Sequence, residues 1–263
     1  NNGREGLFIN IQALSIAAFG NTPWALRIVS ALIGTLTILG MYLVARELFR
    51  SRPVGLLASF FLATSYWHLN FSRIGFRAIM LPLFATFGIY FLLRGLRTGK
   101  PIHLIAAGIL TGLGVHTYIA FRFMVFVFAV PVVHALWRGR KAGKTAVAAG
   151  SVAIYAAAAL IVLAPLGLYF FQHPEAFANR AGDVSIFSAA NPAKEFLISA
   201  GETVGMFFTA GDCNWRHNFN CQPELNPLAA LFFVIGIIVS IRAFSLRPLP
   251  SALLSVWLGA LAL

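Results

Sequence analysis

The sequence predicts an all-α fold, a polytopic bundle of transmembrane helices. Of its 263 residues, 59% are hydrophobic and only 11% are charged, and the mean hydropathy is +0.81. Soluble globular domains are roughly 45–50% apolar and about 25% charged, so this chain has too few charges to cover a water-facing surface. The composition therefore excludes a soluble enzyme, a disordered tail and a small disulfide-stapled protein.

Apolar runs follow one another along the chain. A helix needs about 20 apolar residues to cross a bilayer, with a range of roughly 17–25. The predicted spans, several of them short, are 22–48, 54–70, 74–96, 102–118, 119–137, 145–171, 227–241 and an incomplete 252–263. Leu7–Phe19 is too short to cross easily, so we expect an interfacial or re-entrant helix there. The sequence thus predicts about seven or eight spans and one long outer loop over residues 172–224.

The basic residues are concentrated in alternate loops, and only one acid, Glu47, accompanies them. These loops contain 12 of the 20 basic residues: Arg46, Arg50, Arg52, Arg94, Arg97, Lys100, Arg138, Arg140, Lys141, Lys144, Arg242 and Arg247. By the positive-inside rule this side faces the cytoplasm. The net charge of +12 therefore reports membrane topology, and no nucleic-acid partner is expected.

Several arginines lie on the opposite, outer side. Arg73 and Arg77 are four residues apart where a span is predicted to begin, so they would share one helical face beside a positive helix N-terminus. Guanidinium groups bind phosphate through paired N–H donors, which predicts a site for a phosphate at headgroup depth. The alternative is a pair of snorkelling arginines that contact ordinary headgroups. Arg122 begins a later span in the same way, either as a further cation or as an interface anchor.

An acid and a base precede the short N-terminal helix. Glu5 is a candidate general base or a group that orients an acceptor hydroxyl, and Arg4 is a further candidate for binding phosphate. The alternative for Glu5 is simple charge complementarity, because acids are favoured in the first turn of a helix.

The outer side also has candidates for the rim of a substrate site, namely His68, His116, Tyr118, Asp212, Arg216 and His217. Cys213 and Cys221 face an oxidising compartment, which favours a local disulfide. Free thiols, or a zinc site formed with His217 and Asp212, are the alternatives. The segment is rich in Gly, Asn and Asp, which favours a loop over the helix that would align such ligands. No cofactor is certain from the sequence; a divalent metal is compatible with it but is not indicated.

Two further patterns concern packing. Asn191 followed by Pro192 predicts a helix start, with an N-cap and a proline in the first turn. Gly108, Gly112 and Gly114 lie on one predicted span, where small residues let neighbouring helices approach closely.

The ordered motifs of the chain resemble a known family. They comprise residues 3–8 before the short helix, 23–27 and 42–49 at the two ends of one span, and then 65–77, 117–122 and 211–218. The set resembles the GT-C membrane glycosyltransferases of the protein O-mannosyltransferase and aminoarabinose transferase superfamily. More narrowly it resembles the Rgt-like branch, whose known members modify lipopolysaccharide core. The resemblance covers most of the chain and is densest from Gly3 to Arg122.

This resemblance implies one GT-C-like domain over residues 1–263. It implies transfer of a sugar from a polyprenyl-phosphate donor to a lipid, glycan or protein acceptor, at the outer face of the bacterial inner membrane. The main catalytic carboxylate of such enzymes lies in the first outer loop, so we expect it upstream of Asn1, with Glu5 as an auxiliary acid, and we expect the chain to be a fragment. Arg73, Arg77 and Arg122 would then stabilise the departing phosphate.

Two other functions stay open on the sequence alone. A lipid-linked-sugar flippase or another envelope transporter needs a polar path through the bundle, and no predicted span carries an ionisable residue near its middle. A non-catalytic scaffold that binds polyprenyl phosphate would keep the arginines and lack a catalytic carboxylate upstream.

Overall fold

The computed structural model describes residues 6–174 and 191–242, and within them every regular element is helical. The helices are α1 (Leu7–Phe19), α2 (Pro23–Phe49), α3 (Arg52–Ala63), α4 (Tyr66–Phe71), α5 (Met80–Thr98), α6 (Pro101–Val115), α7 (Met124–Lys141), α8 (Thr145–Gln172), α9 (Pro192–Met206) and α10 (Pro227–Arg242). Single 3₁₀ turns, Arg77–Ile79 and Ile119–Phe123, lead into α5 and α7. The predicted all-α bundle is confirmed.

Four of these helical segments are long and apolar enough to cross a membrane: Pro23–Phe49, Arg77–Thr98, Ile119–Lys141 and Thr145–Gln172. The helices α1, α3, α6 and α10 are apolar but shorter. Most predicted spans therefore coincide with one observed helix, and the predicted short helix over Leu7–Phe19 is observed with the same bounds. The predicted span 252–263 lies outside the described residues.

The predicted span 54–70 is wrong as a single helix, because the chain breaks between α3 and α4. The Oγ1 of Thr64 donates to the carbonyl of Phe60 at the end of α3, at 3.0 Å. Ser65 has extended backbone, and its Oγ accepts from the amide of His68 to cap α4. A serine N-cap begins a new helix at this point, and an average of hydropathy does not detect it.

Helix α9 begins where the sequence predicts. The side chain of Asn191 accepts a hydrogen bond from the amide of Lys194 at 3.1 Å, and Pro192 occupies the first helical position. The cap supplies a partner for an amide that the first turn leaves unpaired.

The predicted close approach of glycines on α6 is also confirmed. A Cβ at Gly108 would overlap the carbonyl oxygen of Tyr155 on α8, and one at Gly112 would lie 2.7 Å from the Cβ of Val162. The spacing of these two glycines is the small-xxx-small pattern that lets helices pack closely in a membrane. A Cβ at Gly114 would overlap the ring of Phe121.

The bundle has two chemically different ends. The basic end comprises residues 46–52, 94–100 and 138–144, which lie around shared cavities. The site end comprises residues 20–27, 64–77, 116–122 and 207–226. Helix α1 belongs to the site end, because the side-chain amide of Gln12 donates to the carbonyls of Leu26 and Gly75 at 3.1 and 3.3 Å.

Candidate functional site

The two arginines after α4 do not share a helical face, so that prediction is wrong. Helix α4 ends at Phe71, Gly75 has a φ of 72°, and the next helical turn begins only at Arg77. A glycine with positive φ interrupts a right-handed helix, and the continuous helix expected from Ile74 does not form. Arg73 is exposed as a result, whereas Arg77 is buried, with 8% of its surface accessible.

Arg77 lies in an aromatic environment at the site end. Its guanidinium carbon is 5.3 Å from the centroid of the Tyr118 ring, the geometry of a cation–π contact. The ring of Phe76 lies 6.3 Å from that of Tyr118, nearly perpendicular to it. The turn before α5 and the turn after α6 are thus joined by a buried cation.

The same aromatic cluster reaches the long loop through His217. The imidazole centroid lies 5.0 Å from Phe76 and 5.5 Å from Phe71. The side-chain amide of Asn70 donates to the His217 carbonyl, which fixes the backbone at this point. Two motifs about 140 positions apart in sequence, 65–77 and 211–218, therefore meet at one place.

His217 forms an ion-pair-type contact with Asp212. Its Nδ1 is 2.7 Å from the Oδ2 of Asp212, and the two side chains are 20% and 31% exposed. A carboxylate at this distance holds the Nδ1 proton in place, so Nε2 is the basic nitrogen of the neutral ring. The geometry is that of an oriented general base.

A disulfide between Cys213 and Cys221 closes the loop that carries these residues. Two hydrogen bonds brace the base of this loop: the amide of Gly211 donates to the carbonyl of Cys221 at 3.1 Å, and the buried Asn218 donates through Nδ2 to the carbonyl of Gln222 at 2.7 Å. Over residues 6–174 and 191–242, no group of three or more His, Cys, Asp or Glu side chains could hold a metal ion.

Glu224 is a candidate that the sequence analysis missed. Partial burial, chiefly, and the negative charge of nearby Asp212 together raise the pKa of its carboxyl to about 7. The Glu224 amide donates to the carbonyl of Met206 at 2.9 Å, so the end of α9 positions it. No motif surrounds Glu224, and its burial depends on packing that a local pattern does not encode.

The other rim candidates at the site end are engaged in packing. The Nε2 of His68 bonds to the carbonyl of Gly34 at 3.1 Å, and the side chain is 6% exposed, so it joins α4 to α2 and is not on an open rim. The Nε2 of His116 lies 3.0 Å from the carbonyl oxygen of Val162.

The two remaining arginine candidates contact different aromatic rings. Arg122 lies over Phe170 of α8, with its guanidinium carbon 5.1 Å from the ring centroid. The exposed Arg216 lies 5.9 Å from the ring centroid of its neighbour Trp215. The structure thus brings Arg77, Tyr118, Asp212 and His217 together and gives Arg73, Arg122 and Arg216 other surroundings. Arg4 and Glu5 lie outside the described residues.

Much of the chain is similar to known proteins. Residues 7–169, more than half of it, match the family model described as dolichyl-phosphate-mannose-protein mannosyltransferase. A protein of Bacillus subtilis (strain 168) with the name "Putative mannosyltransferase YkcB" is 29% identical over 115 residues, which are 44% of this chain. The match spans only 16% of the length of that relative. No solved structure matches the chain.

The four membrane-length helices and the family match agree on a multi-pass integral membrane protein. The family match covers α1 to α7 and nearly all of α8, so it includes Arg77 and Tyr118, while Asp212 and His217 lie beyond it. The chain belongs to the dolichyl-phosphate-mannose-protein mannosyltransferase family, a family of GT-C type membrane glycosyltransferases.

Proposed function

We propose that the chain is the site-bearing part of an enzyme that transfers a sugar from a polyprenyl-phosphate donor to an acceptor hydroxyl. The observation that carries the proposal is the Asp212–His217 pair, held against the aromatic cluster that also contains the buried Arg77. A base and a cation at one end of a membrane bundle are what such a transfer requires. The family match supports the same reaction class.

The groups of the site have distinct roles in this reaction. The acceptor oxygen forms a bond to the anomeric carbon of the sugar and releases its proton to Nε2 of His217. The bond from that carbon to the phosphate oxygen breaks, and its electron pair stays on the phosphate. Arg77 stabilises the negative charge that develops there, which lowers the barrier because the charge grows in the transition state.

The proposal places this chemistry on the extracytoplasmic side of a bacterial inner membrane. The arginine-rich loops of the basic end support that orientation, because basic residues accumulate in cytoplasmic loops. The donor is a polyprenyl-phosphate-linked sugar, and the acceptor is a lipid, a glycan or a protein. We further propose that residues 1–263 form one transmembrane domain, with residues 172–224 as its outer loop. The phosphate-binding roles of Arg4, Arg73 and Arg122 and the auxiliary role of Glu5 stay predictions.

Substitution of the His217 pair tests the proposal. In full-length protein reconstituted with polyprenyl-phosphate mannose labelled in the sugar, we expect His217→Gln and Asp212→Asn to lower the turnover rate by about 10²–10⁴-fold, the usual contribution of a positioned base. The exposed Trp215→Phe in the same loop is the matched control. A near-wild-type rate for His217→Gln would assign the proton to another group.

The same assay tests the role of Arg77. We expect Arg77→Ala to lower turnover by about 10²-fold or more, as does the loss of one preorganised donor to a developing anion. Arg27→Ala removes an exposed arginine from the same end and serves as the control. If Arg77→Ala turns over as fast as Arg27→Ala, the cation at the phosphate is a different one.

A further inference from the structure

A second concentration of charged residues lies at the basic end, far along the bundle from the site end. It surrounds a cavity of about 430 Å³ between the ends of α2 and α5 and the start of α3. Its charged lining consists of Arg46, Glu47, Arg50, Arg52, Arg94 and Arg97. Five guanidinium groups therefore face one carboxylate around one space.

The single carboxylate is already engaged. Glu47 accepts two hydrogen bonds from Arg97, at 2.6 Å from Nε and 3.1 Å from Nη2, and lies 3.8 Å from Nη2 of Arg50. This paired contact ties the end of α2 to the end of α5. An anion bound in the cavity would reduce the repulsion among the remaining arginines, because like charges gathered around one space repel one another.

Arg94, which lines the same cavity, has a donor atom that lacks a hydrogen-bond acceptor within the described part of the chain. Its Nη1 donates to the hydroxyl of Tyr90 at 2.6 Å, whereas its Nε is buried and has no hydrogen-bond partner among the described residues. A buried guanidinium N–H without an acceptor is costly, and buried polar groups in proteins normally find a partner. An oxygen in the cavity reaches this Nε only after a shift of the Arg94 side chain, because the atom has almost no accessible surface.

We propose that this cavity binds a phosphate-bearing anion. Guanidinium groups present planar pairs of N–H donors that match phosphate oxygens, and basic pockets between transmembrane helices bind the headgroups of anionic lipids. The positive-inside rule accounts for arginines in these loops but not for their convergence on one space. The site is separate from the transfer site and does not depend on the transfer reaction.

The neighbouring space bears on the source of the phosphate. A larger cavity of about 610 Å³ shares Glu47, Arg50 and Arg97 with the first and continues along Leu93 and Leu96. An apolar continuation suits a phosphate that carries an acyl chain, and a free phosphate would use only the arginine-lined part. The lipid phosphate and the free phosphate both present the anionic oxygens that the arginines bind.

Binding of two probes to the full-length protein tests the proposal and separates the sources. After delipidation, the protein is titrated with short-chain phosphatidylglycerol and, separately, with inorganic pyrophosphate, and native mass spectrometry reads the bound fraction. We expect Arg46→Gln/Arg52→Gln to weaken the dissociation constant by about tenfold or more, because two charged donors to the phosphate are lost. Both residues are exposed, so little packing changes.

The matched control is Arg140→Gln/Lys141→Gln, which removes the same charge from the same end but from residues that line neither cavity. The site is supported if the first double substitution weakens the binding of a probe and the control substitution does not. The probe that wild-type protein binds more tightly identifies the source of the phosphate. Failure of both probes to bind wild-type protein, or equal affinities in the two double variants, overturns it.

A cryo-EM map of wild-type protein in phosphatidylglycerol nanodiscs provides a readout that needs no variant. Headgroup density within hydrogen-bond distance of Arg46 and Arg52 supports the site, and a cavity without such density overturns the lipid source. Sugar transfer measured on the same samples separates the two proposals, because loss of the anion site leaves the groups at the site end unchanged.

Discussion

At the scale of single residues, the pairing of Asp212 with His217 depends on how the loop around them is closed. Two side chains five positions apart become an oriented acid–base pair because the Cys213–Cys221 disulfide and the buried Asn218 fix the loop between and around them. The Phe71 and Phe76 rings then hold the imidazole against the bundle. The sequence placed both residues at a substrate rim, but their pairing depends on the closed loop.

Glu224 makes a prediction about the pH dependence of stability. Its pKa is about 7 in the folded chain, against 4.5 for an ordinary glutamate, chiefly because it is buried. Between these values the folded chain keeps a proton that the unfolded chain releases, so this contribution to stability is complete below about pH 4.5 and is lost as the pH rises through about 7. We expect Glu224→Gln to raise the unfolding midpoint relative to wild type at pH 8 and to change it little at pH 4.5.

Thermal unfolding of the full-length protein in detergent, followed at pH 4.5 and pH 8, checks this expectation. Glu202→Gln replaces an exposed glutamate on α9 and is the control. A difference between the two pH values that is the same in wild type, Glu224→Gln and Glu202→Gln would contradict the assignment of the raised pKa to Glu224.

At the scale of the elements, α6 and α8 pack through glycines. Alanine at Gly108 would bring its methyl group against the Tyr155 carbonyl and the Cβ of Ala158, so the helices must separate. We expect Gly108→Ala to destabilise the protein by roughly 1–3 kcal/mol, the usual cost of overpacking. Gly150→Ala on α8, where an added Cβ has nothing within 4 Å, measures the effect of alanine alone.

Unfolding of both variants in detergent, by denaturant titration with a helix-specific signal, gives the two free-energy changes. If Gly108→Ala and Gly150→Ala are equally stable, the close α6–α8 contact does not contribute as described. The comparison isolates packing, because both substitutions replace glycine by alanine inside an apolar helix.

Element boundaries show which parts of the fold the sequence could predict. Apolar length located α2 and α8 to within one residue and α5 and α7 to within six, because membrane thickness sets that length. The break at Ser65 and the turn at Gly75 were not predicted, since each depends on one residue that caps or reverses the chain. The prediction that Arg73 and Arg77 share a helical face failed for this reason, and Glu224 was missed because its burial comes from distant segments.

At the scale of the whole molecule, the two ends of the bundle have opposite chemistry. The site end presents the Asp212–His217 pair against aromatic rings and the partly buried Glu224, and the basic end presents converging arginines. This asymmetry supports an orientation with the basic end in the cytoplasm. In that orientation the proposed polyprenyl-phosphate donor would reach the site end from the outer leaflet.

Photo-crosslinking of the donor tests this account most directly. A polyprenyl phosphate with a diazirine next to the phosphate is irradiated with the full-length protein in proteoliposomes, and the labelled peptides are identified by mass spectrometry. We expect labels on residues 66–77, 117–122 or 211–219, and we expect an excess of unlabelled donor to suppress this labelling. Labels confined to the basic end, or labels at the site end that the excess donor does not suppress, would contradict it.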